Sequence, residues 1–407
     1  MSAPPTIRTA LVFGTRPEAV KLLGIIRELA ADARFAVRVI VTGQHEAMPE
    51  EILRPFGIQP DVDLGIMRPN QTLNDILVRA MPALDRLYEA EQPNLVLVQG
   101  DTTSAFAAAL AAFHRGIPVG HVEAGLRSFD RFHPYPEEAN RRMISSVTDL
   151  HFAPTPLAAE NLVKEGVRRR DIFVTGNTVV DSLLATLEKL RSGAQPGWQK
   201  PLRGDGRLVL ITLHRREGWQ APGGGVPPLE SILSGIRAAA AEYPSVDFVF
   251  PVHHNPKVRA PVWRILGESE NVQLVDPIPY LPFVDLMARA TVILTDSGGI
   301  QEEAPTLGVP VLVLRRTTER PEGLAVAGNR LGTSAEDIRD ELLRHLQTPR
   351  PRPRPDAPAP NPFGDGQANR RVRQAILHFL GLGAPPDEFR GSPVDLLPMV
   401  SKETVHE

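Results

Sequence analysis

"TVILTDSGGIQEEAP", residues 291–305, decides how the chain is read. Val292, Ile293 and Leu294 follow one another with no polar alternation, the mark of a strand covered on both faces. The run ends at Asp296, a Ser-Gly-Gly turn follows, and a helix opens behind it. A buried strand that hands polar and glycine residues to a helix start is the unit of a doubly wound α/β sheet. Ligands of such sheets bind beyond the carboxyl ends of the strands.

The same unit recurs along the chain. "TALVF", "VRVIVT", "NLVLVQ", "IPVGHV", "DLHFAP" and "DIFVT" fill the first part; "LVLITL", "VDFVFPV", "NVQLVD" and "VPVLVL" accompany the opening strand in the second. Segments between them, such as "PEAVKLLGIIRELA" and "DTTSAFAAALAAFHR", are apolar at helical spacing. The pattern breaks at "EKLRSGAQPGWQKPLRGDG" (188–206), where Gly, Pro and charge take over. Two doubly wound, Rossmann-like domains are therefore expected, over residues 1–180 and 205–350. A proline-rich spacer follows ("TPRPRPRPDAPAPNPF"), read as extended. Beyond it a helix is expected over residues 366–382, then a loose tail over 384–407.

Composition narrows the class. The 407 residues are 42% hydrophobic and 23% charged, ordinary for a globular protein. A net charge of −3 argues against a general nucleic-acid binder. The chain has no cysteine, which removes disulfides and thiolate metal sites and fits a reducing cytoplasm. The start "MSAPPTIRT" lacks the pattern of a signal peptide, and no 18-residue apolar run suggests a membrane span.

The strand ends carry the candidate chemistry. Gly298 and Gly299 let backbone donors approach an anion at a helix start, where phosphate or ribose would bind. The plainer reading is a cap by Ser297, with Glu302 and Glu303 complementing the helix dipole. Arg16 and Lys21 in "FGTRPEAVK" stand where they could hold a pyrophosphate, or be solvated surface. The chain has no G-x-G-x-x-G, so a resident nicotinamide dinucleotide is not expected. "PDVDLG" contains a D-x-D but lies among prolines and reads as a loop. "PVHHNP" offers histidines without ligand spacing, so no metal is expected. "LHRREGW" sets His214 and two arginines at a strand end, suited to a diphosphate or to a solvated basic loop. In "GDTTS" either Asp101 or Thr102 caps the next helix. Glu123 follows a strand directly. Glu137 and Glu138 sit on a stretch, "RFHPYPEE", that Pro134 and Pro136 keep from being regular helix. Any one of these carboxylates could be structural, but Asp101, Glu123 and Glu137 converging on one cleft suggest acid–base work.

"GTRPEAVK", "GDTTS", "GHVEAGLRS", "PEEANRR", "GNTVVD", "HRRE", "PVHHNP", "LPFVDLM", "TDSGGIQEEAPTLG" and "TTERPEG", in this order, resemble the UDP-N-acetylglucosamine 2-epimerase family of the non-hydrolysing type. The resemblance implies a GT-B fold, with UDP held mainly by the second domain and the sugar facing the first. It also implies a C-terminal helix packed back on the first domain, and a homodimer serving cell-surface polysaccharide synthesis. On it, Asp101, Glu123 and Glu137 match the catalytic carboxylates, and His214 joins them at the leaving group. Arg16, Lys21, Ser297, Gly298, Gly299 and Arg320 match the diphosphate contacts, Glu303 a ribose ligand and Phe283 a residue near the uracil. Gln44, Arg215 and His253 match a second, effector site for UDP-GlcNAc. Ala47 and Asn70 depart from that site's usual pattern, so activation is expected to be weak or absent.

The implied reaction needs no cofactor: a base takes the C2 proton, UDP leaves C1, and UDP re-adds to a 2-acetamidoglucal after protonation from the other face. Three rivals stay open. They are a hydrolysing 2-epimerase releasing UDP and ManNAc, a GT-B glycosyltransferase, and a nucleotide-sugar sensor with a decayed site.

Overall fold

The structure, a computed structural model, describes residues 6–43, 52–69, 71–195, 202, 204–215, 227–315, 318–324, 330–347 and 359–391. Most of the proline spacer, and Gln44, Ala47 and Asn70, lie outside these residues. The chain divides into two compact units. The first is Met1–Ala185 with Phe363–Gly391, and the second is Thr186–Pro362 with the end of the chain.

In the first unit, strands β1 (Ile7–Phe13), β2 (Phe35–Val41), β3 (Val62–Asp63), β4 (Leu95–Gln99), β5 (Val119–Val122), β6 (Leu150–Ala153) and β7 (Ile172–Val174) form one sheet. Its order is β3-β2-β1-β4-β5-β6-β7, and every pairing is parallel. Helices α1 (Arg16–Ala30), α2 (Leu73–Glu91), α3 (Thr103–His114), α4 (Glu137–Ser146), α5 (Pro156–Lys164) and α6 (Thr178–Arg191) connect the strands. The alanines of α3 let it bury most of its surface beside Val12, Val96, Val98, Leu84 and Tyr88. The strand order reverses between β1 and β4, so the crevice for a ligand opens at the carboxyl ends of those two strands.

The second unit repeats the plan. Strands β8 (Leu208–Thr212), β9 (Asp247–Pro251), β10 (Val272–Val275), β11 (Val292–Thr295), β12 (Val311–Val313) and β13 (Arg330–Leu331) lie in the order β10-β9-β8-β11-β12-β13, again parallel. Helices α7 (Pro228–Glu242), α8 (Pro256–Leu266), α9 (Tyr280–Arg289), α10 (Gly298–Glu303), α11 (Pro321–Leu324) and α12 (Ala335–Gln347) accompany them. Val209, Ile211, Ile236, Phe248, Phe250 and Leu294 centre the core. Here the reversal falls between β8 and β11.

A last helix, α13 (Ala368–Phe379), belongs to the first unit. Asp181 accepts its first backbone donors, Ala368 N at 3.2 Å and Asn369 N at 3.0 Å. Arg373 reaches Glu28 in the last turn of α1 and Asp32 just past its end. Gly24 permits the close approach of α1, because a Cβ there would stand 1.9 Å from Asn369 Nδ2.

Two expectations from sequence are corrected here. The D-x-D stretch is a short edge strand rather than a loop: Val62 and Asp63 pair with β2, and Asp61 accepts from Val39 N and Arg38. Residues 384–391 are not a loose tail. Phe389 N donates to Val174 O at 2.8 Å, its ring is buried, and Arg169 pairs with Glu388.

Candidate functional site

The carboxyl ends of β1, β4, β5 and β7 bring one set of groups together in the first unit. Glu123 follows β5 directly and has φ +67, a left-handed backbone conformation uncommon for a non-glycine residue. Such conformations cost about 1–3 kcal/mol and persist where surrounding structure over-determines them. Here the side chain supplies that restraint. Glu123 accepts from Lys21 Nζ on α1, from Gln99 Nε2 at the end of β4 and from Asn177 Nδ2 at 3.3 Å. All four residues are buried. Lys21, expected beside a pyrophosphate, is therefore the counter-ion of a carboxylate.

The Glu123 carboxylate also lies against the turn that carries Asp101: its Oε2 is 3.7 Å from where a Cβ on Gly100 would stand. Thr102, not Asp101, caps α3, accepting from Ala105 N at 3.0 Å. Asp101 is left to bind Arg141, 2.7 Å away, while its carbonyl accepts from Asn140 at 2.8 Å. Both partners stand on α4, so that helix is tied to the Asp101 turn.

Glu137 is the first residue of α4 and half-buried, on the helix rather than on the proline-stiffened loop. Pro136 occupies the N-cap position, which is where the loop's extended bias ends. Glu138 is structural: fully buried, it accepts from Ser128 N, Phe129 N and Arg141 and holds the loop down. Sequence reasoning gave no role to Gln99, Asn177 or Glu18. Glu18 Oε2 accepts from Gly14 N, Thr15 N and Thr15 Oγ1, and its Oε1 from Thr102 Oγ1 at 2.6 Å. Burial pushes its carboxyl up to about 6 against the pull of those donors. Arg16 opens α1 on the same turn and is half-buried. His121, buried on β5, bonds the Gly100 carbonyl at 2.7 Å, and burial holds its pKa down at about 4, so the ring is neutral.

The second unit gathers its groups at the β8 and β11 ends. His214 Nδ1 lies 2.9 Å from Asp296 Oδ1, and Asp296 Oδ2 accepts from the backbones of His214 and Arg215, each at 2.8 Å. Burial alone would raise the Asp296 pKa, but the His214 ring and the backbone donors together hold it below the usual carboxylate range. His214 itself is exposed, with the His253 ring stacked 6.4 Å from it.

Ser297 stands at the N-cap of α10 but makes no side-chain cap bond. Glu302 and Glu303 fall in the last turn of that short helix, not the first, so the plain capping reading does not hold. Glu302 instead binds buried Arg320, which also reaches Glu319. Glu319 in turn pairs with Arg315 at 2.6 Å and Arg215 at 3.3 Å. A Cβ at Gly298 would stand 2.4 Å from Arg320 Nη1, so the glycine gives the guanidinium room beside the turn. Tyr280 donates its hydroxyl to Glu303 at 2.6 Å, and Phe283, half-buried, lies on the same helix, α9. Among the described residues there is no cluster of His and carboxylates that would hold a metal ion, and no helix long and apolar enough to cross a membrane.

The set thus pairs carboxylates with a lysine in one unit, and histidine and arginines with a glycine turn in the other. The first can move protons; the second can neutralise an anion. The family model for UDP-N-acetylglucosamine 2-epimerase matches residues 27–377. A UDP-N-acetylglucosamine 2-epimerase of Bacillus subtilis is 42% identical over 389 residues, 95% of this chain and 99% of that one. Among solved structures, a UDP-GlcNAc 2-epimerase from Neisseria meningitidis bound to UDP-GlcNAc is 42% identical with a TM-score of 0.83, covering 91% of this chain and 100% of that one. One from Methanocaldococcus jannaschii, in complex with UDP-GlcNAc and UDP, is 32% identical with a TM-score of 0.80, covering 91% and 100%. The α/β fold with two doubly wound units is of the GT-B class.

Proposed function

The chain belongs to the UDP-N-acetylglucosamine 2-epimerase family, carbohydrate epimerases, and from that premise we propose that it interconverts UDP-GlcNAc and UDP-ManNAc by elimination and re-addition of UDP. The observation that carries the chemistry is Glu123, held in a left-handed conformation by Lys21, Gln99 and Asn177. A carboxylate fixed this firmly suits a proton transfer, where small misplacements are costly.

The sugar hydrogen at C2 is next to no carbonyl, so its removal must be coupled to loss of a leaving group. In the proposed step a base takes that proton, the C2–H electrons form the C1–C2 double bond, and the C1–O bond breaks toward UDP. A 2-acetamidoglucal remains. In the return step C2 is protonated from the other face while UDP re-adds to C1 on the face it left, so only C2 is inverted. Asp101, Glu123 and Glu137 are the candidates to remove and return protons. Negative charge growing on the diphosphate needs cations and donors that are already in place. His214, Arg16, the Ser297–Gly299 turn and Arg320 serve that need, while Lys21 acts on Glu123 instead. Glu303 and Phe283 are proposed for the ribose and uracil.

Proton NMR of UDP-GlcNAc with the protein in D₂O tests this reading. Deuterium should enter at C2 while UDP stays attached at equilibrium. Stoichiometric free ManNAc and UDP would replace it with the hydrolysing reaction. Transfer to an acceptor without C2 exchange would replace it with glycosyl transfer.

A further inference from the structure

In the first sheet the order reverses between β1 and β4, and the two turns that flank this point carry Arg16 and Asp101. One buried carboxylate touches both turns. Glu18 Oε2 takes three donors from the β1 turn: Gly14 N at 3.0 Å, Thr15 N at 2.7 Å and Thr15 Oγ1 at 2.7 Å. Its Oε1 takes Thr102 Oγ1 from the β4 turn, 84 residues away in sequence. We propose that Glu18 is a positioning residue: it locks the two turns at the switch point and so fixes where Asp101 and Arg16 stand toward the sugar nucleotide. This rests on the epimerase reading above.

Helix capping explains only half of these bonds. A capping box needs Thr15 and one oxygen of Glu18. The second oxygen does nothing for α1; it ends on the residue that caps α3 and precedes Thr103. The surroundings are built to the same end. A Cβ on Gly14 would stand 2.5 Å from Thr42 Oγ1 and 2.8 Å from Ser104 Oγ, so only glycine lets the β1 turn seat against α3. Thr42 and Ser104 hydroxyls are themselves 3.2 Å apart, a second tie between the two sides. In the second unit Asp296, at the end of β11, bridges the corresponding reversal by binding the backbone and ring of His214 after β8. Each unit therefore carries one buried carboxylate across its switch point.

Glu18→Gln puts an amide NH₂ where one side needs an acceptor, so one of the two turns is released. Thr102→Val removes the hydroxyl at constant shape, and Thr102→Ser restores it. Turnover of UDP-GlcNAc should fall roughly 10- to 100-fold in E18Q and T102V, the scale of a small misplacement of reacting groups. KM should stay within about threefold, because no substrate contact is removed. T102S should run near the wild-type rate. E18Q/T102V should cost no more than the worse single variant, since both break one link. UDP binding, measured by calorimetry, should persist in all of them, weakened at most severalfold where the Arg16 turn is released, and shows that they are folded. E18Q turning over within twofold of wild type overturns the proposal. So does a T102S variant as slow as T102V, or additive losses in the double variant. A wild type with no C2 exchange overturns the epimerase reading and this one with it; wild-type exchange matched by E18Q overturns this one alone.

Discussion

Lys21 Nζ donates to the carboxylate of Glu123, 102 residues further along the chain, and both side chains are more than nine-tenths buried. A buried pair of this kind acts as a unit. Glu123→Gln should lower turnover by roughly two to four orders of magnitude, the range for losing a positioned acid or base. Lys21→Met should lose turnover as well and destabilise the first unit by about 3–5 kcal/mol, because it leaves a buried carboxylate uncompensated. The double variant should be no slower than E123Q alone. C2 exchange in D₂O measures the rates. Losses that simply add would mean that Lys21 acts on the substrate rather than on Glu123.

Glu137 opens α4, the helix that Asn140 and Arg141 bolt to the Asp101 turn. Glu137→Gln keeps shape and backbone, so melting temperature should barely move while turnover drops roughly 10²- to 10⁴-fold. Glu138→Gln should do the reverse, since Glu138 holds the 128–129 backbone and Arg141. Near-normal turnover in E137Q would make the carboxylate a structural one.

Arg320 binds Glu302 and Glu319 in the interior of the second unit. Arg320→Ala should therefore do two things: lower stability, by at most about 3–5 kcal/mol, because buried Glu302 and Glu319 lose its charge while Glu319 keeps Arg315, and weaken UDP binding. Thermal melts with and without UDP separate the effects, because ligand stabilisation follows RT ln(1 + [L]/Kd). A lower melting point with an undiminished UDP-induced rise would confine Arg320 to a structural role.

Much of this molecule is legible in its sequence, for a physical reason. Strands buried on both faces leave unbroken apolar runs, and the residues directly after them are the ones a doubly wound sheet presents to a ligand. The strand-end positions of Asp101, Glu123 and His214 are found that way. β3 and β13 are not, because two residues carry no periodicity. Gln99 and Asn177 escape because they are neutral and acquire a role only through Glu123. Glu18 escapes too, since nothing in its spacing reveals that one of its oxygens reaches Thr102. The positive charge of Lys21 points to an anion, but spacing leaves open which one. Three residues after Glu18 on α1, it turns to the same buried face and meets a carboxylate.

Asp181 holds the start of α13, and burial raises its pKa to about 6 from an ordinary 3.8. The folded state thus binds this proton more tightly than the unfolded one. The group's contribution falls as pH rises from about 4 through 6, and is level on either side. Asp181→Asn removes the proton equilibrium. The stability of D181N relative to wild type should climb across that window, by at most about 1.4 kcal/mol per pH unit. Part of the residue's surface faces water, so the slope should fall short of that ceiling. Urea melts of both proteins at pH 4, 5, 6 and 7 check this; parallel curves would mean that the carboxyl titrates normally.

The effector reading of Arg215 and His253 meets a specific obstacle in the second unit. Arg215 pairs with Glu319 at 3.3 Å and its backbone is bound by Asp296, while the His253 Nδ1 accepts from Asn255 N at 3.1 Å. Each has local work in the fold. A charge-assisted contact to an effector phosphate is worth about 1.5–3 kcal/mol, roughly 10- to 150-fold in affinity. For Arg215 to supply it, the guanidinium would have to share or leave Glu319. Together with Ala47 and Asn70, which depart from the usual effector pattern, this points to weak activation by UDP-GlcNAc or none. With pure UDP-ManNAc as sole substrate, turnover should begin without a long lag, and trace UDP-GlcNAc should change the initial rate by less than about twofold. A long lag abolished by trace UDP-GlcNAc, and lost again in Arg215→Ala, would show that Arg215 gives up Glu319 for an effector.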